Sequence, residues 1–290
     1  MGADFTEETA TEAVVASYDN TQDPRLRELM RSLVRHLHAF VRETEPTLDE
    51  WAAAIDFLTR TGQKCSDVRQ EFILFSDVLG VSMLVETMNA RKSGGATEST
   101  VLGPFHMTTS PVRELGANID LVGHETQCVV TGAVRSPDGT GLPGATVDVW
   151  QADEDGFYDV QQPEKQPPGN GRGLFTTGEN GEFWFRTVVP AAYPIPTDGP
   201  VGELLEAAGR HPYRPAHIHF IAEAKGHVPV TTHIFVSDSP YLDSDAVFAV
   251  KSSLVEDFAT VDDPELAERY GVPNPFRMAN FDIVLQPESE

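Results

Sequence analysis

The first part of the chain repeats apolar residues at the three- and four-residue spacing of an amphipathic helix. Over residues 23–42, Asp23 is placed to cap this helix and Pro24 stands at its first position. The apolar residues share one face of the predicted helix, which must therefore pack against another surface. They are Leu26, Met30, Leu33, Leu37 and Phe40.

Two more helical segments follow. Thr47 and Glu50 form a capping box ahead of an apolar period, and Gly62 supplies a stop, so a second helix is expected between them. Residues 66–88 continue the helical period with a break near Gly80. Roughly the first 90 residues are therefore predicted to be helical.

The pattern changes near residue 93, after which glycine, proline and short β-rich runs dominate. Residues 126–135 and 145–151 are predicted to be two strands joined by a hairpin or a longer turn. Residues 161–173 are expected to form an exposed loop, and residues 201–209 a short helix. Further strands are expected at residues 182–188, 217–222, 230–235 and 280–286.

Short strands with turn-rich connections favour an antiparallel arrangement over a parallel α/β sheet. We therefore predict an α+β, mainly β protein of two domains. Residues 1–93 form the helical region, and residues 94–290 form an antiparallel β-sandwich or barrel.

Composition narrows the classes of function. The chain has 290 residues, and 45 acidic against 21 basic side chains give a formal net charge of −24. Such a charge repels phosphate backbones and anionic membrane surfaces, which argues against nucleic-acid and membrane partners. No apolar run approaches the ~20 residues that span a bilayer and no leader pattern is present, so a soluble, cytoplasmic protein is expected. Cys65 and Cys128 are too few for a disulfide framework and are expected to be packed thiols.

A histidine pair is the first candidate for chemistry. His217 and His219 flank Ile218 in a predicted strand, and because strand side chains alternate, both imidazoles point to the same face. Such a pair suits metal binding, although histidines hydrogen-bonded to each other or to solvent are more common. A third ligand could be Asp or Glu, as in ferrous oxygenases, or another His, as in zinc sites. Tyr158 and Tyr193 stand in conspicuous settings, although most buried tyrosines only make one hydrogen bond.

Four separate motifs, in order along the chain, resemble those of the intradiol ring-cleaving dioxygenases. They are ESTVLGPFH (98–106), GATVDVWQADEDGFYDVQ (144–161), FRTVVPAAYPIPTDGPVG (185–202) and HPYRPAHIHF (211–220). The helices before them resemble that family's dimerisation region. The resemblance implies a helical dimerisation region at residues 1–93 and a β-sandwich catalytic domain at residues 94–290. It also implies non-haem Fe(III) bound by the matching residues, which are Tyr158, Tyr193, His217 and His219.

Within the family, the sequence is most similar to the hydroxyquinol 1,2-dioxygenases. This similarity depends on VLGPFH at 101–106, on TTHIF at 231–235, where catechol enzymes tend to carry Gln in place of His233, and on YLDSDAVFAVK at 241–251. It implies cleavage of 1,2,4-trihydroxybenzene with both atoms of O2 incorporated, giving 3-hydroxy-cis,cis-muconate, the enol form of maleylacetate, in aromatic compound degradation. Catechol and chlorocatechol remain alternative substrates.

Two other classes of protein stay open. The segment GAVRSPDGTGLPGATVDVW also resembles transthyretin-like β-sandwich modules, which bind ligands without catalysis. A ferrous extradiol or cupin-type oxygenase would instead use two histidines with a carboxylate, or several histidines.

The resemblance also assigns roles around the iron. It implies that Tyr193 is a displaceable ligand that receives a substrate proton, that Tyr158 stays bound, and that Arg214 stabilises negative charge on the substrate. His233 could orient a ligand or a proton without binding the metal itself, or it could only pack inside its strand. Asp77 could bind the third hydroxyl of hydroxyquinol or lie on the helix surface. The implied pocket consists of Leu74, Asp77, Val101, Leu102, Gly103, Pro104, Phe105, Ile195, Pro196, Arg214 and Val247.

The apolar faces of the helical region could also pack in two ways. They could pack only on the β domain, or they could pair across a two-fold axis as the family's helices do. The resemblance favours a homodimer, with phospholipid as a candidate occupant of a tunnel at the interface.

Overall fold

The computed structural model describes residues 5–66, 69–90, 95–107 and 109–288. Contacts within the chain divide it into two compact units, with the division between Arg60 and Thr61. The boundary expected at residues 93 and 94 lies on residues 91–94, outside the described residues, and stays a prediction. Within the described ranges, no helix is both long and apolar enough to cross a membrane.

The first unit is helical, as predicted. It contains α1 (Ala10–Ala16), α2 (Pro24–Thr44) and most of α3 (Leu48–Lys64). The Asp23 side chain accepts hydrogen bonds from the backbone N–H groups of two residues in the first turn of α2, so the predicted cap is confirmed.

The capping box ahead of α3 is also confirmed. The Thr47 backbone N–H donates to Oε2 of Glu50 at 2.8 Å, and the Glu50 N–H donates to Oγ1 of Thr47 at 3.2 Å. The predicted end at Gly62 is wrong, because α3 continues to Lys64. Glycine inside a helix costs only about 1 kcal/mol relative to alanine, which the last turn tolerates.

One face of α2 leaves large apolar side chains in solvent. Its leucines are about half exposed, and Phe40 is 59% exposed. On α3, Trp51 is 59% exposed. The exposed apolar residues of these two helices include Leu26, Leu29, Leu33, Leu37, Phe40, Val41, Leu48, Trp51, Ile55 and Leu58.

The second unit begins with a broken helical segment. Helices α4 (Glu71–Val78) and α5 (Val81–Asn89) meet at Gly80, whose φ of 71° allows the break that the sequence predicts. The segment starts later than expected, because Ser66 and Arg69 pair as a short β-bridge before α4.

The remainder of this unit is rich in short strands. Two more helices, α6 (Pro200–Ala207) and α7 (Pro264–Tyr270), lie between strands, and α6 matches the short helix predicted there. The strands of the described residues are β1 (Cys128–Arg135), β2 (Thr146–Gln151), β3 (Arg172–Thr176), β4 (Glu182–Thr187), β5 (Tyr193–Pro194), β6 (Tyr213–Arg214), β7 (His217–Glu223), β8 (Val230–Val236), β9 (Val255–Glu256), β10 (Ala259–Val261), β11 (Phe276–Asn280) and β12 (Ile283–Val284).

These strands form two five-stranded sheets and one short pair. In the first sheet, β1 pairs with β4 on one side and with β11 and β12 on the other, and β10 continues from β11. The second sheet has the order β3-β2-β7-β8-β9, and β5 pairs with β6. Most ladders are antiparallel, but β1 is parallel to β11 and β12, and β8 is parallel to β9.

The two sheets pack face to face around one apolar core, so the predicted sandwich is confirmed. Phe183 and Phe185 of β4 approach Phe220 of β7, with ring centroids 6.3 and 6.4 Å apart. Ile218 and Phe220 point into this core and are fully buried. Because strand side chains alternate, His217 and His219 point to the opposite face of β7.

Of the two connections expected between β1 and β2, the structure has the longer turn and not the hairpin, because β1 is already flanked by β4, β11 and β12, while β2 is flanked by β3 and β7. Two other expectations for the β region are wrong. The strand expected at residues 280–286 is divided between β11 and β12. The loop expected to be exposed at residues 161–173 is buried at residues 170–173, where β3 begins.

Candidate metal centre

The two histidines of β7 bring their Nε2 atoms to 3.2 Å from each other. Nδ1 of His217 lies 2.7 Å from the Pro215 carbonyl oxygen, which can only accept a hydrogen bond. This bond keeps the proton on Nδ1 and leaves the lone pair of Nε2 for a metal.

Two tyrosines close the site. The hydroxyl of Tyr158 lies 3.1 Å from Nε2 of His219, and that of Tyr193 lies 3.5 Å from Nε2 of His217. The two hydroxyls are themselves 3.5 Å apart. Tyr158 directly precedes a 3₁₀ turn (Asp159–Gln161), and Tyr193 begins β5. The four donor atoms thus form a closed ring with edges of 3.1–3.5 Å, which we call the four-donor cluster.

Burial gives these groups the chemistry of metal ligands. All four residues are between 1% and 4% exposed. Burial, with a further contribution from Arg214, lowers the pKa of His217 and of His219 well below the ordinary value of histidine, so both imidazoles are neutral. Burial also raises the pKa of Tyr158 well above its ordinary value, and only a bound cation would make phenolate stable there. Neutral imidazoles and phenolates fit a hard, highly charged ion such as ferric iron.

A second donor set overlaps the first. The ring nitrogens of His217, His219 and His233 lie within 4.8 Å of one another, and all three residues are buried. Nδ1 of His233 is hydrogen-bonded to the hydroxyl of Thr100, whereas its Nε2 is buried with no partner among the described residues. The Thr100 contact fixes the His233 ring behind His219, with ring centroids 4.0 Å apart.

Aromatic side chains hold two of the four donors in place. The Trp150 indole stacks on the His219 ring with centroids 4.5 Å apart and an interplanar angle of 13°. The Phe105 ring stacks on Tyr158 at 4.5 Å. Gly103 has a φ of 79°, and an added Cβ would lie 2.9 Å from Cε1 of His219, so the chain passes too close for any other residue.

A buried ion pair between Arg172 and Asp159 supports the chain next to Tyr158. Arg172 is 1% exposed and its Nε donates to Oδ1 of Asp159 at 2.8 Å, while Nη1 donates to the Phe105 carbonyl at 2.8 Å. The Gly169 N–H donates to the other carboxylate oxygen of Asp159. Arg172 therefore ties the residue after Tyr158 to the residue that stacks on it.

Arg214 enters the site through the short β5–β6 ladder, in which it pairs with Tyr193. Its Nη1 lies 3.3 Å from Nε2 of His217, its Nε donates to Oδ1 of Asp245 at 3.2 Å, and its buried Nη2 has no hydrogen-bond partner among the described residues. Burial alone would lower the pKa of Arg214, but the charges of Asp245 and Tyr193 raise it overall. The guanidinium is therefore a fixed positive charge beside the four-donor cluster.

Asp77 is buried on α4 and is not a helix-surface residue, being 9% exposed. Burial raises the pKa of its carboxyl group, the Ser82 hydroxyl and the charge of Arg214 lower it, and the charge of Asp245 raises it. Asp77 therefore interacts electrostatically with Arg214 and Asp245, the buried ion pair of the site.

The other residues of the implied pocket have varied environments. Ile195 and Val247 are buried in the main core, and Leu74 and Val101 are partly buried against it. Pro196 is half-buried, and Leu102 and Pro104 are exposed on either side of Gly103.

Sequence reasoning missed several residues that surround the donors. These are Thr100, Trp150, Asp159, Arg172 and Asp245. Trp150 could have been found by alternation along β2, but the partners of the other four are 13 to 133 positions away along the chain.

Comparison with known proteins is consistent with this geometry. The dioxygenase family profile matches residues 103–287, and the profile described as the catechol dioxygenase N terminus matches residues 23–97. The chain is 54% identical over 282 residues to the hydroxyquinol 1,2-dioxygenase of Rhizobium sp. (strain MTP-10005), covering 97% of the chain and 96% of that protein.

Two solved structures extend the comparison. The hydroxyquinol 1,2-dioxygenase of Pseudomonas putida DLL-E4 superposes with a TM-score of 0.91 at 47% identity, covering 97% of this chain and 99% of that one. The catechol 1,2-dioxygenase of Acinetobacter radioresistens superposes with a TM-score of 0.83 at 25% identity, covering 98% and 94% of the two chains. These matches favour an enzyme over a transthyretin-like binding module or a cupin-type oxygenase. The chain belongs to the intradiol ring-cleavage dioxygenase family.

Proposed function

We propose that the protein cleaves hydroxyquinol between its two adjacent hydroxylated carbons, using O2 and yielding 3-hydroxy-cis,cis-muconate, the enol form of maleylacetate. The observation that carries this proposal is the four-donor cluster of two tyrosines and two neutral histidines beside a buried arginine. We propose hydroxyquinol over catechol because the chain is 54% identical to a hydroxyquinol enzyme and 38% identical to the catechol 1,2-dioxygenase of Candida albicans.

We assign Fe(III) to the four-donor cluster, with Tyr158, Tyr193, His217 and His219 as its protein ligands. When bound, ferric iron would be chelated by the two adjacent hydroxyls of the substrate, and this would make the electron-rich ring reactive toward O2. The neutral imidazoles and the stacked, supported Tyr158 support this ligand set over the three-histidine set. His233, held by Thr100, orients His219 from behind in this assignment.

The roles of the two tyrosines differ. Tyr158 is stacked by Phe105 and its neighbour Asp159 is fixed by Arg172, so we assign Tyr158 as the ligand that stays in place. Tyr193 lies in a two-residue strand beside Arg214, and we assign its phenolate oxygen as the group that accepts one substrate proton and becomes a neutral hydroxyl.

Arg214 offers its unpartnered Nη2 to negative charge that develops on the substrate. A buried, preorganised cation stabilises such charge more strongly than water does.

The pocket provides the proposed selectivity. We place the third hydroxyl of hydroxyquinol near Asp77, whose carboxyl group can accept a hydrogen bond from it. The remaining wall is proposed to consist of Leu74, Val101, Leu102, Gly103, Pro104, Phe105, Ile195, Pro196 and Val247.

We also propose that the helices join two copies of the chain. The exposed apolar face of α2 supports a homodimer through the helices, as does the match to the catechol dioxygenase N terminus. A phospholipid at that interface and a cytoplasmic location stay predictions from the sequence.

The test is a comparison of substrates with the iron-loaded protein. Oxygen uptake and product would be measured with hydroxyquinol, catechol and chlorocatechols, and 18O2 would trace the oxygen atoms. We expect one O2 consumed per hydroxyquinol, both labelled atoms in the product, and the highest kcat/KM for hydroxyquinol. A higher kcat/KM for catechol would assign the protein to the catechol enzymes, and incorporation of a single labelled atom would reject dioxygenation.

A further inference from the structure

Asp245 joins two parts of the site, although it is not a candidate ligand. It is 4% exposed and follows β8 in the chain. One carboxylate oxygen accepts a hydrogen bond from Nε of Arg214 at 3.2 Å and another from the Val247 N–H at 3.3 Å. The second oxygen accepts a hydrogen bond from the Ala249 N–H at 3.0 Å. A single carboxylate therefore binds both a buried cation and the turn that follows it.

That turn has an unusual backbone. Phe248, between the two amides bound by Asp245, has a φ of 59°, a region that non-glycine residues seldom adopt. Its ring is 53% exposed and lies 5.0 Å from the guanidinium carbon of Arg210. The carboxylate thus holds a strained turn that carries Val247, a residue of the proposed pocket wall.

The same carboxylate determines how Arg214 faces the donors. A guanidinium donates in fixed directions, so the bond from Nε to Asp245 fixes the plane of the group and with it the positions of both Nη atoms. Nη1 then lies 3.3 Å from Nε2 of His217, and Nη2 keeps its hydrogens free. Because a buried cation needs a counter-charge, Asp245 also makes it possible to keep Arg214 charged inside the protein.

We propose that Asp245 is a positioning residue, which aims Arg214 at the substrate and fixes the Val247 turn through one carboxylate. This inference rests on the proposed function, because it acts through Arg214. Asp245 itself touches neither the substrate nor the metal in this scheme. Its loss should therefore lower the rate of ring cleavage and leave the iron ligands intact.

The principal variant is Asp245→Asn in the full-length, iron-loaded enzyme. Asparagine has the same shape and can still accept a backbone hydrogen bond, but it carries no charge. We expect kcat for hydroxyquinol to fall about 10- to 100-fold with a smaller change in KM, because a charge-assisted hydrogen bond to the catalytic cation is lost. Iron content and the visible absorption band should equal those of the wild type.

A double-mutant cycle with Arg214→Gln tests whether the loss of kcat in Asp245→Asn depends on Arg214. If it does, Asp245→Asn should change kcat by less than about threefold once Arg214 has been replaced. An equal loss in both backgrounds, or a single variant as active as wild type, would overturn the proposal. Asp282→Asn is the matched control, since Asp282 also binds an arginine and a backbone amide, but on β1 of the other sheet.

A further variant separates positioning from folding. Glycine adopts a φ near 59° without strain, so Phe248→Gly should restore the stability of an Asp245→Asn protein that folds poorly. We expect kcat to stay low in this double variant, because it still lacks the carboxylate that orients the Arg214 guanidinium. Recovery of wild-type kcat would mean that Asp245 only supports the turn and would overturn the inference. Failure of the proposed function is distinguishable, because it appears in the wild type as an absence of oxygen uptake.

Discussion

The hydroxyl of Tyr158 lies 3.1 Å from Nε2 of His219, although 61 positions separate the two residues in the chain. Both are buried, and each is stacked by another aromatic ring, Phe105 on Tyr158 and Trp150 on His219. The two atoms are within hydrogen-bond distance, and once the tyrosine is deprotonated both can instead offer a lone pair to the same metal ion. In the proposed function that ion is Fe(III).

Replacing Tyr158 by Phe should therefore weaken and shift the visible absorption of the iron-loaded protein, leaving only the contribution of Tyr193. Phenolate bound to Fe(III) gives a charge-transfer band that makes such proteins reddish, and phenylalanine has no oxygen to bind. The band would be measured together with iron content, so that loss of a ligand is distinguished from loss of metal. Tyr270→Phe is the control, since Tyr270 packs against Trp184 away from the donors. A colourless wild type loaded with stoichiometric iron would rule out tyrosinate ligands.

Asp77→Ala should lower kcat/KM for hydroxyquinol about 10- to 100-fold more than for catechol, because only hydroxyquinol has the hydroxyl that would bind the carboxyl group. Asp77→Asn, which keeps an acceptor, should lie between the wild type and the alanine variant. Both substrates would be measured under the same steady-state conditions. Equal losses for the two substrates would show that Asp77 supports the pocket without selecting the substrate.

Local rules were enough to predict the elements whose signals lie within a few residues. The caps at Asp23 and at Thr47 and Glu50 were recognised because a cap and its helix are neighbours in sequence. The shared face of His217 and His219 follows from strand alternation alone. Helix α7 has equally local signals, with Asp263 as cap, Pro264 at its start and Gly271 at its end, and it was overlooked.

The support around the donors could not be predicted in this way. Arg172 was assigned to an exposed loop, yet it is buried because Asp159 and the Phe105 carbonyl approach it from other parts of the chain. The sequence left open whether a hairpin or a longer turn joins β1 and β2 for a related reason, because strand pairing depends on which partners the whole sheet supplies. Family motifs supplied the proposed ligands, whereas tertiary contacts supplied the residues that surround them.

The Arg172–Asp159 ion pair should contribute strongly to stability. Replacing Arg172 with Met leaves a buried carboxylate unpaired, which we expect to lower the free energy of unfolding by about 3–5 kcal/mol. Urea unfolding of the iron-free protein would measure this change. Arg135→Met, which breaks a more exposed pair with Asp282, should cost about 1 kcal/mol or less. Similar losses in both variants would contradict a special role for the buried pair.

Stability of the iron-free protein should fall as the pH drops below 6.5. His217, His219 and His233 have pKa values well below the ordinary 6.5, because burial disfavours their charged forms. Below 6.5 the unfolded chain therefore binds protons that the folded chain does not, so the free energy of unfolding decreases with falling pH. Each of these histidines contributes a slope of about 1.4 kcal/mol per pH unit, until the pH reaches its pKa in the folded protein.

The variant His233→Gln measures how much one histidine contributes to the pH dependence of the free energy of unfolding. Urea unfolding of the iron-free protein at a series of pH values should give a slope shallower by about 1.4 kcal/mol per pH unit than in the wild type. His211→Gln is the control, because His211 is partly exposed. An unchanged slope in His233→Gln would mean that this histidine is protonated in the folded protein.

The exposed leucines of α2 should hold two copies of the chain together. Leu33 and Leu37 are 49% and 52% exposed on one face of the helix, where a second copy could bury them. Equilibrium sedimentation should give a dimer for the wild type and a monomer for Leu33→Glu combined with Leu37→Glu, because burying two carboxylates in an apolar interface is strongly unfavourable.

Arg35→Glu is the matched control for this prediction. Arg35 lies on the same helix, is exposed, and is turned away from Leu33 and Leu37 by the helical repeat. It should therefore leave the dimer intact even though it adds an acidic residue to the same segment. A monomeric wild type would reject pairing through α2, and a dimeric double variant would place the interface elsewhere on the chain.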